Sequence, residues 1–156
     1  MNCMERLQAY LRESTVPFHI QHHPVAYSAQ EVAASAHVPG RMMAKTVVIF
    51  AGGDTVMLAL PASHRVDVDK AAAALGAKEV RLAHEGELDA YFPDCEAGAM
   101  PPFGNLYDVP VWVDRSLAED ETIVFRAGTH TDTMTLKYDD YARLANPQIA
   151  DFAAHL

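Results

Sequence analysis

Residues Lys45–Ala51 and Thr55–Leu60 are two β-branched, apolar runs on either side of Gly52-Gly53-Asp54. Such runs around a glycine turn predict a β-hairpin, because glycine alone takes positive φ without steric cost. A hairpin in the middle of a chain needs further strands or helices to cover its apolar faces. Short strands are predicted at Phe18–His22, Glu79–Leu82, Val109–Val113, Thr122–Arg126 and Thr133–Lys137. Helices are predicted over 4–13, where Met4, Leu7 and Leu11 recur at helical spacing, and from a Ser28/Glu31 capping box through Ala36. Asp67 and Gly76 bracket a third helix, Glu85–Tyr91 reads as a short fourth, and Tyr138–Leu144 and Pro147–Leu156 read as the last two. Strands in hairpin-like succession with helices at both ends indicate an α+β domain with a mixed, largely antiparallel sheet.

The 156 residues form one expected domain, 1–156, with no repeat, linker or low-complexity tract. No run approaches the length of a membrane span and no secretory signal is evident, so a cytoplasmic, membrane-free protein is expected. Cys3 and Cys95 fit neither a disulfide framework nor a zinc spacing, and free thiols are the expectation. Twelve basic against 21 acidic residues give a net charge of −9, which argues against an autonomous grip on RNA or DNA.

Lys45 opens an otherwise core-like strand, where an ammonium either lines a polar cavity and holds an anion or snorkels to solvent. The segment from Gly98 through Gly104 frames Pro101-Pro102 with glycines. It is either a rigid loop that aims backbone N–H groups at a ligand or a stiff connection. His130 lies in a glycine-containing turn, facing a pocket or covering the turn. His19, His22 and His23 are clustered, but only His19 and His23 share a strand face, and no H-E-x-x-H or C-x-x-C accompanies them. No metal and no cofactor is expected. No G-x-S-x-G identifies a nucleophilic serine, and Cys95 has no identifiable partner base.

Lys45-Thr46-Val47-Val48-Ile49, Leu58-Ala59-Leu60-Pro61, His64-Arg65-Val66-Asp67, Gly98 through Gly104 and Val113-Asp114 occur in the order of the YbaK/ProX-type domain. In these features the chain resembles that family of trans-editing aminoacyl-tRNA deacylases, also found inserted in some bacterial prolyl-tRNA synthetases. The resemblance implies that family's fold, a mixed sheet or partly closed barrel flanked by helices. It implies hydrolysis of the ester of a mischarged aminoacyl-tRNA, with Lys45 holding the terminal adenosine phosphate and Gly98 and its loop binding near the aminoacyl carbonyl. Water or a substrate hydroxyl would attack, so no enzyme nucleophile is required.

With the family in view, Thr46, Met100, Pro101, Pro102, Gly104, His130 and Tyr27 become candidate substrate-binding residues. The expected partners are the tRNA 3′ end and, beyond it, a synthetase; Arg41, Lys45, Arg65 and Lys70 are candidates for a basic patch. Pro101 stands where many relatives carry serine, and Asp94-Cys95 where cysteine-specific relatives have Gly-Tyr, which points away from a Cys-tRNA(Pro) deacylase. Two other readings remain: a non-catalytic binding module of the same fold that holds an aminoacyl or nucleotide-like ligand or docks on a synthetase, and a metal hydrolase built on the histidine cluster.

Overall fold

The computed structural model describes residues 1–156 and begins with α1 (Cys3–Glu13). A capping box starts this helix: Asn2 accepts from the Glu5 amide, and the Glu5 carboxylate accepts from the Asn2 amide. Leu7 and Leu11 are fully buried on its inner face, and left-handed backbone at Thr15 (φ 58°) ends it ahead of Pro17. β1 (His19–His22) and α2 (Ala29–Ser35) follow. Ser28 caps α2 by accepting from the Glu31 amide at 3.0 Å, but only this half of the expected capping box forms.

β2 (Met43–Ala51) and β3 (Asp54–Pro61) are the expected hairpin. Gly52 and Gly53 both take positive φ, 58° and 97°, as a two-residue turn of this hand demands, and Ala51 pairs with Asp54 across it. Both faces of the hairpin are covered. Ala44, Val48, Met57 and Ala59 belong to the large core under α1 and α6, whereas Ile49, Val56, Leu58 and Leu60 belong to a smaller one. Two covered faces explain why these strands read as continuous apolar runs.

β4 (His64–Val66) precedes α3 (Val68–Leu75). Asp67 accepts from the Asp69 and Lys70 amides to cap α3, and Gly76 ends it with φ 67°. β5 (Val80–Leu82) and α4 (Glu85–Tyr91) lead to a 3₁₀ turn at Gly104–Tyr107. Then come β6 (Val111–Asp114), α5 (Arg115–Ala118), β7 (Thr122–Arg126), β8 (Asp132–Lys137), α6 (Tyr138–Ala145), β9 (Gln148–Ala150) and β10 (Ala153–His155).

The main sheet runs β1-β8-β7-β2-β3-β6-β9, with β5 on β2, while β4 and β10 form a separate ribbon. Most of the pairing is antiparallel; β2–β7, β3–β6 and β6–β9 are parallel. The α+β class is as expected. The sheet is open, with β1 and β9 as its ends, so the barrel form of the expectation does not apply.

Two expectations are overturned. Residues 147–156 form β9 and β10 rather than a helix. Asn146 closes α6 in left-handed backbone (φ 47°), and the Asp114 carboxylate then accepts from the Phe152 and Ala153 amides, both at 2.9 Å. Those amides are thereby withdrawn from any helical ladder, and β4 and β6 supply strand partners. Cys3 and Cys95 are also not free: they form a disulfide across 92 positions, tying the start of α1 to the segment before the Gly98 loop.

The core holds that loop from below. Phe103 is fully buried among Tyr10, Phe125 and Tyr141, with ring centroids 5.2 to 6.2 Å away. The buried Tyr141 hydroxyl donates to the Pro102 carbonyl at 2.8 Å. Tyr141→Phe is expected to lower stability by about 1–3 kcal/mol, because the carbonyl is left buried and unpaired. A urea midpoint measured at unchanged slope checks this.

Candidate active site

The site arises where the sheet divides. β7 pairs with β2 only at Met43 and Ala44, and β5 pairs with it only at Ile49–Ala51. Between those two partners, the strand edge around Lys45, Thr46 and Val47 faces no strand on that side. There the Thr46 hydroxyl donates to the Met100 carbonyl at 2.8 Å, which ties the segment containing Gly98 to this strand. A cavity of about 120 Å³ remains, lined by Ala29, Ala44, Lys45, Thr46, Gly98, Met100 and Arg126. A larger surface depression beside Gly52, Gly53 and Arg81 contains none of these groups.

The loop is fastened through its carbonyls. Ala97 O accepts from His130 Nε2 at 3.0 Å, and Gly98 O accepts from Arg126 Nη1 at 2.7 Å. Ala99 O accepts from the Gly128 amide, Met100 O from Thr46, Pro101 O from the Phe103 amide and Pro102 O from Tyr141. Six consecutive carbonyls, 97 to 102, are therefore each held by a different donor. The amides behave differently: Ala99 N donates to Glu96 O, while Gly98 N and Met100 N donate to no protein group. Two backbone amides without protein acceptors thus belong to residues that border the cavity, and unpaired amides are the kind of donor that can serve a ligand oxygen. Gly98 adopts φ 82°, a conformation that favours glycine.

The Lys45 ammonium makes no ion pair or hydrogen bond, and burial pushes it below the ordinary lysine value. Arg126 is 9% exposed, and the only hydrogen bond of its guanidinium is the one to Gly98 O. No carboxylate lines the cavity; Glu31 on α2 is the acidic group whose charge reaches Arg126. A small cavity with two cations and two free amides is suited to anionic and oxygen-rich ligands.

The structure thus brings Lys45, Thr46, Gly98 and Met100 together. Pro101, Pro102 and Gly104 lie outside the lining and are buried. A Cβ on Gly104 would sit 2.5 Å from the Val109 carbonyl, so this glycine permits a close backbone approach. His130 stands beside Gly98, and its ring packs at 4.9 Å on Tyr27, which is outside the cavity lining and 69% exposed. Arg126 had no signal in the sequence beyond ending a strand, because its acceptor lies 28 residues upstream.

The clustered histidines diverge. His22 pairs with Asp132, His23 is buried with Nδ1 2.8 Å from the Pro24 carbonyl, and His19 is exposed. Cys3, Asp94 and Cys95 bring ligand-type atoms within 4.8 Å of one another, but both sulfurs are used in the disulfide. Of the basic candidates, Lys70 is bonded to the Ala153 carbonyl at 3.1 Å, and Arg41 and Arg65 are exposed.

Residues 23–144 match the aminoacyl-tRNA editing domain, a span containing every residue of the cavity. The chain belongs to that family. As an editing domain it is an aminoacyl-tRNA deacylase. It is 28% identical over 153 residues to the multifunctional Ser/Thr-tRNA deacylase ProXp-y of Escherichia coli K12, covering 95% of this chain and 91% of the relative. The editing fold is shared with the crystal structure of a candidate trans-editing enzyme for prolyl-tRNA synthetase, with TM-score 0.84, 19% identity and 97% of each chain covered. The hypothetical protein APE2540 superposes equally well, with TM-score 0.86, 16% identity, and 96% of this chain and 99% of that one covered.

Proposed function

We propose that this editing domain acts in trans, as in the YbaK/ProX type, on tRNA mischarged with a small, hydroxyl-bearing amino acid. The observation that carries the reading is the carbonyl-braced loop that leaves the Gly98 and Met100 amides free beside Lys45. In the proposed reaction Lys45 pairs with the phosphate of the terminal adenosine and fixes the ester. Water adds to the aminoacyl carbonyl, and its oxygen takes negative charge against the two amides. The intermediate collapses by releasing the ribose oxygen, which gains a proton, to give the free amino acid and a 3′ hydroxyl. No enzyme nucleophile is needed, because an aminoacyl ester is already activated and positioning supplies much of the rate.

His130 and Thr46 act by holding loop carbonyls, and Pro101, Pro102 and Gly104 by stiffening the loop below them. The exposed Tyr27 ring, backed by His130, offers a stacking face to the terminal base. With a net charge of −9, the domain holds only the 3′ end, and a synthetase supplies the remaining affinity for tRNA. The work belongs to the cytoplasm, where translation takes place. The name of the E. coli relative supports the choice of serine and threonine.

Incubation with tRNAs carrying Ser, Thr, Ala, Val or Cys tests the proposal. Release of Ser and Thr is expected to exceed spontaneous hydrolysis. If no ester is cleaved faster than in buffer while aminoacyl-adenosine analogues raise the melting temperature, the domain is a binder and the proposal fails.

The pH profile gives a second expectation. Lys45 must be charged to hold phosphate, and burial lowers its pKa from 10.5. After correction for spontaneous hydrolysis, kcat/KM should therefore fall as pH rises through that lowered value, before an ordinary lysine would titrate. Lys45→Arg, which keeps its charge, should move this loss to higher pH.

A further inference from the structure

Arg126 is the cavity's unexplained group. It ends β7, it is 9% exposed, and one of its five N–H donors is spent on the Gly98 carbonyl. The others have no protein partner, and Arg126 is one of the residues that line the cavity. Its neighbours there are Ala29, Ala44 and Met100, which offer apolar surface, and Thr46, whose hydroxyl donates to Met100 O. The proposed chemistry commits Lys45 to phosphate and the two free amides to the carbonyl oxygen. Arg126 is then the group left to meet the amino-acid side chain.

We propose that Arg126 is the specificity-determining residue of this site: while one N–H holds the loop, the remaining donors read an oxygen on the side chain of the aminoacyl group. The inference rests on the proposed deacylase reading. Its physical basis is an asymmetry between polar and apolar pockets. An apolar pocket separates Thr from Val, which have nearly the same shape, only weakly. A pocket that buries a hydrogen-bond donor rejects the substrate lacking an acceptor far more strongly, because the donor is stripped of water and left unpaired. With Val bound, the free Arg126 donors would face a methyl group where Thr offers an acceptor. Lysine-like side chains are excluded by charge, and large ones by size.

The test compares kcat/KM of the full chain on Thr-tRNA and Val-tRNA, and on Ser-tRNA and Ala-tRNA, for the wild type, Arg126→Met and Arg126→Lys. The wild type is expected to favour the hydroxyl member of each pair by at least ~30-fold, and Arg126→Met to bring the ratio within ~3-fold of unity. Arg126→Lys should also lose the preference, since one ammonium cannot fully serve both Gly98 O and the substrate. It covers the case in which the Met variant fails to fold, judged by its melting curve. Both rates falling together at constant ratio would make Arg126 a loop clamp alone and overturn the assignment. A wild type that hydrolyses Thr and Val esters equally would overturn it while leaving the deacylase reading intact. A wild type that hydrolyses no ester would remove both.

Discussion

Lys45→Ala should reduce kcat/KM for deacylation by about 10²–10³-fold, the usual cost of deleting one preorganised electrostatic group from a reaction centre. Stability should move the other way or stay level. The Lys45 ammonium is partly buried with no protein partner, so in the free protein it contributes desolvation cost without a compensating bond. Loss of activity with an unchanged or higher melting temperature is the signature of a group kept for function. Single-turnover hydrolysis of the preferred aminoacyl-tRNA, followed alongside thermal unfolding, measures both. Equal rates for the wild type and Lys45→Ala would remove the lysine from the mechanism.

Asp114→Ala should produce the largest loss of stability. One carboxylate oxygen accepts from the buried Phe152 and Ala153 amides at 2.9 Å, and the other from the Ser116 amide and hydroxyl. Removing the acceptor strands two buried amides at about 1–3 kcal/mol each and uncaps α5 at about 1 kcal/mol. The sum, about 3–7 kcal/mol, is comparable with the whole stability of an ordinary domain. The pH dependence has a definite sign. Burial pushes the Asp114 carboxyl upward, but its hydrogen bonds outweigh this and hold it below the ordinary 3.8. Its contribution is therefore complete above that value and disappears as pH falls through the lower folded value. Asp114→Asn should flatten this acid limb, and urea melts from pH 2 to 7 would show whether it does.

The hairpin was legible because its determinants are local: two glycines at positive φ between runs of the right length. The α3 helix was legible for the same reason, with Asp67 at one end and Gly76 at the other. The C-terminal segment misled because Ile149, Phe152 and Ala153 recur at helical spacing, while the carboxylate that claims its amides lies 38 residues upstream of Phe152. The same distance problem hid the Cys3–Cys95 pairing and the clamp by Arg126. Lys45 and the Gly98 loop stood out by composition, but only the resemblance to editing domains gave them complementary roles. That the loop is gripped by every carbonyl from 97 to 102 could not be read from side chains at all, since the donors Thr46, Arg126 with His130, and Tyr141 come from three separate parts of the chain.

That bracing separates what selection can change from what it must keep. The groups proposed to meet the ester carbonyl belong to the main chain, and a peptide N–H is present whichever residue carries it, proline excepted. Ala99 and Met100 can therefore drift, and with Met100 the shape of the cavity, without removing the donors themselves. On the proposed mechanism the donors to the carbonyl oxygen are part of the scaffold, and the choice of amino acid rests on a few replaceable side chains. A lineage built this way can acquire a new error to correct by single substitutions, with no intermediate that has lost its braced loop.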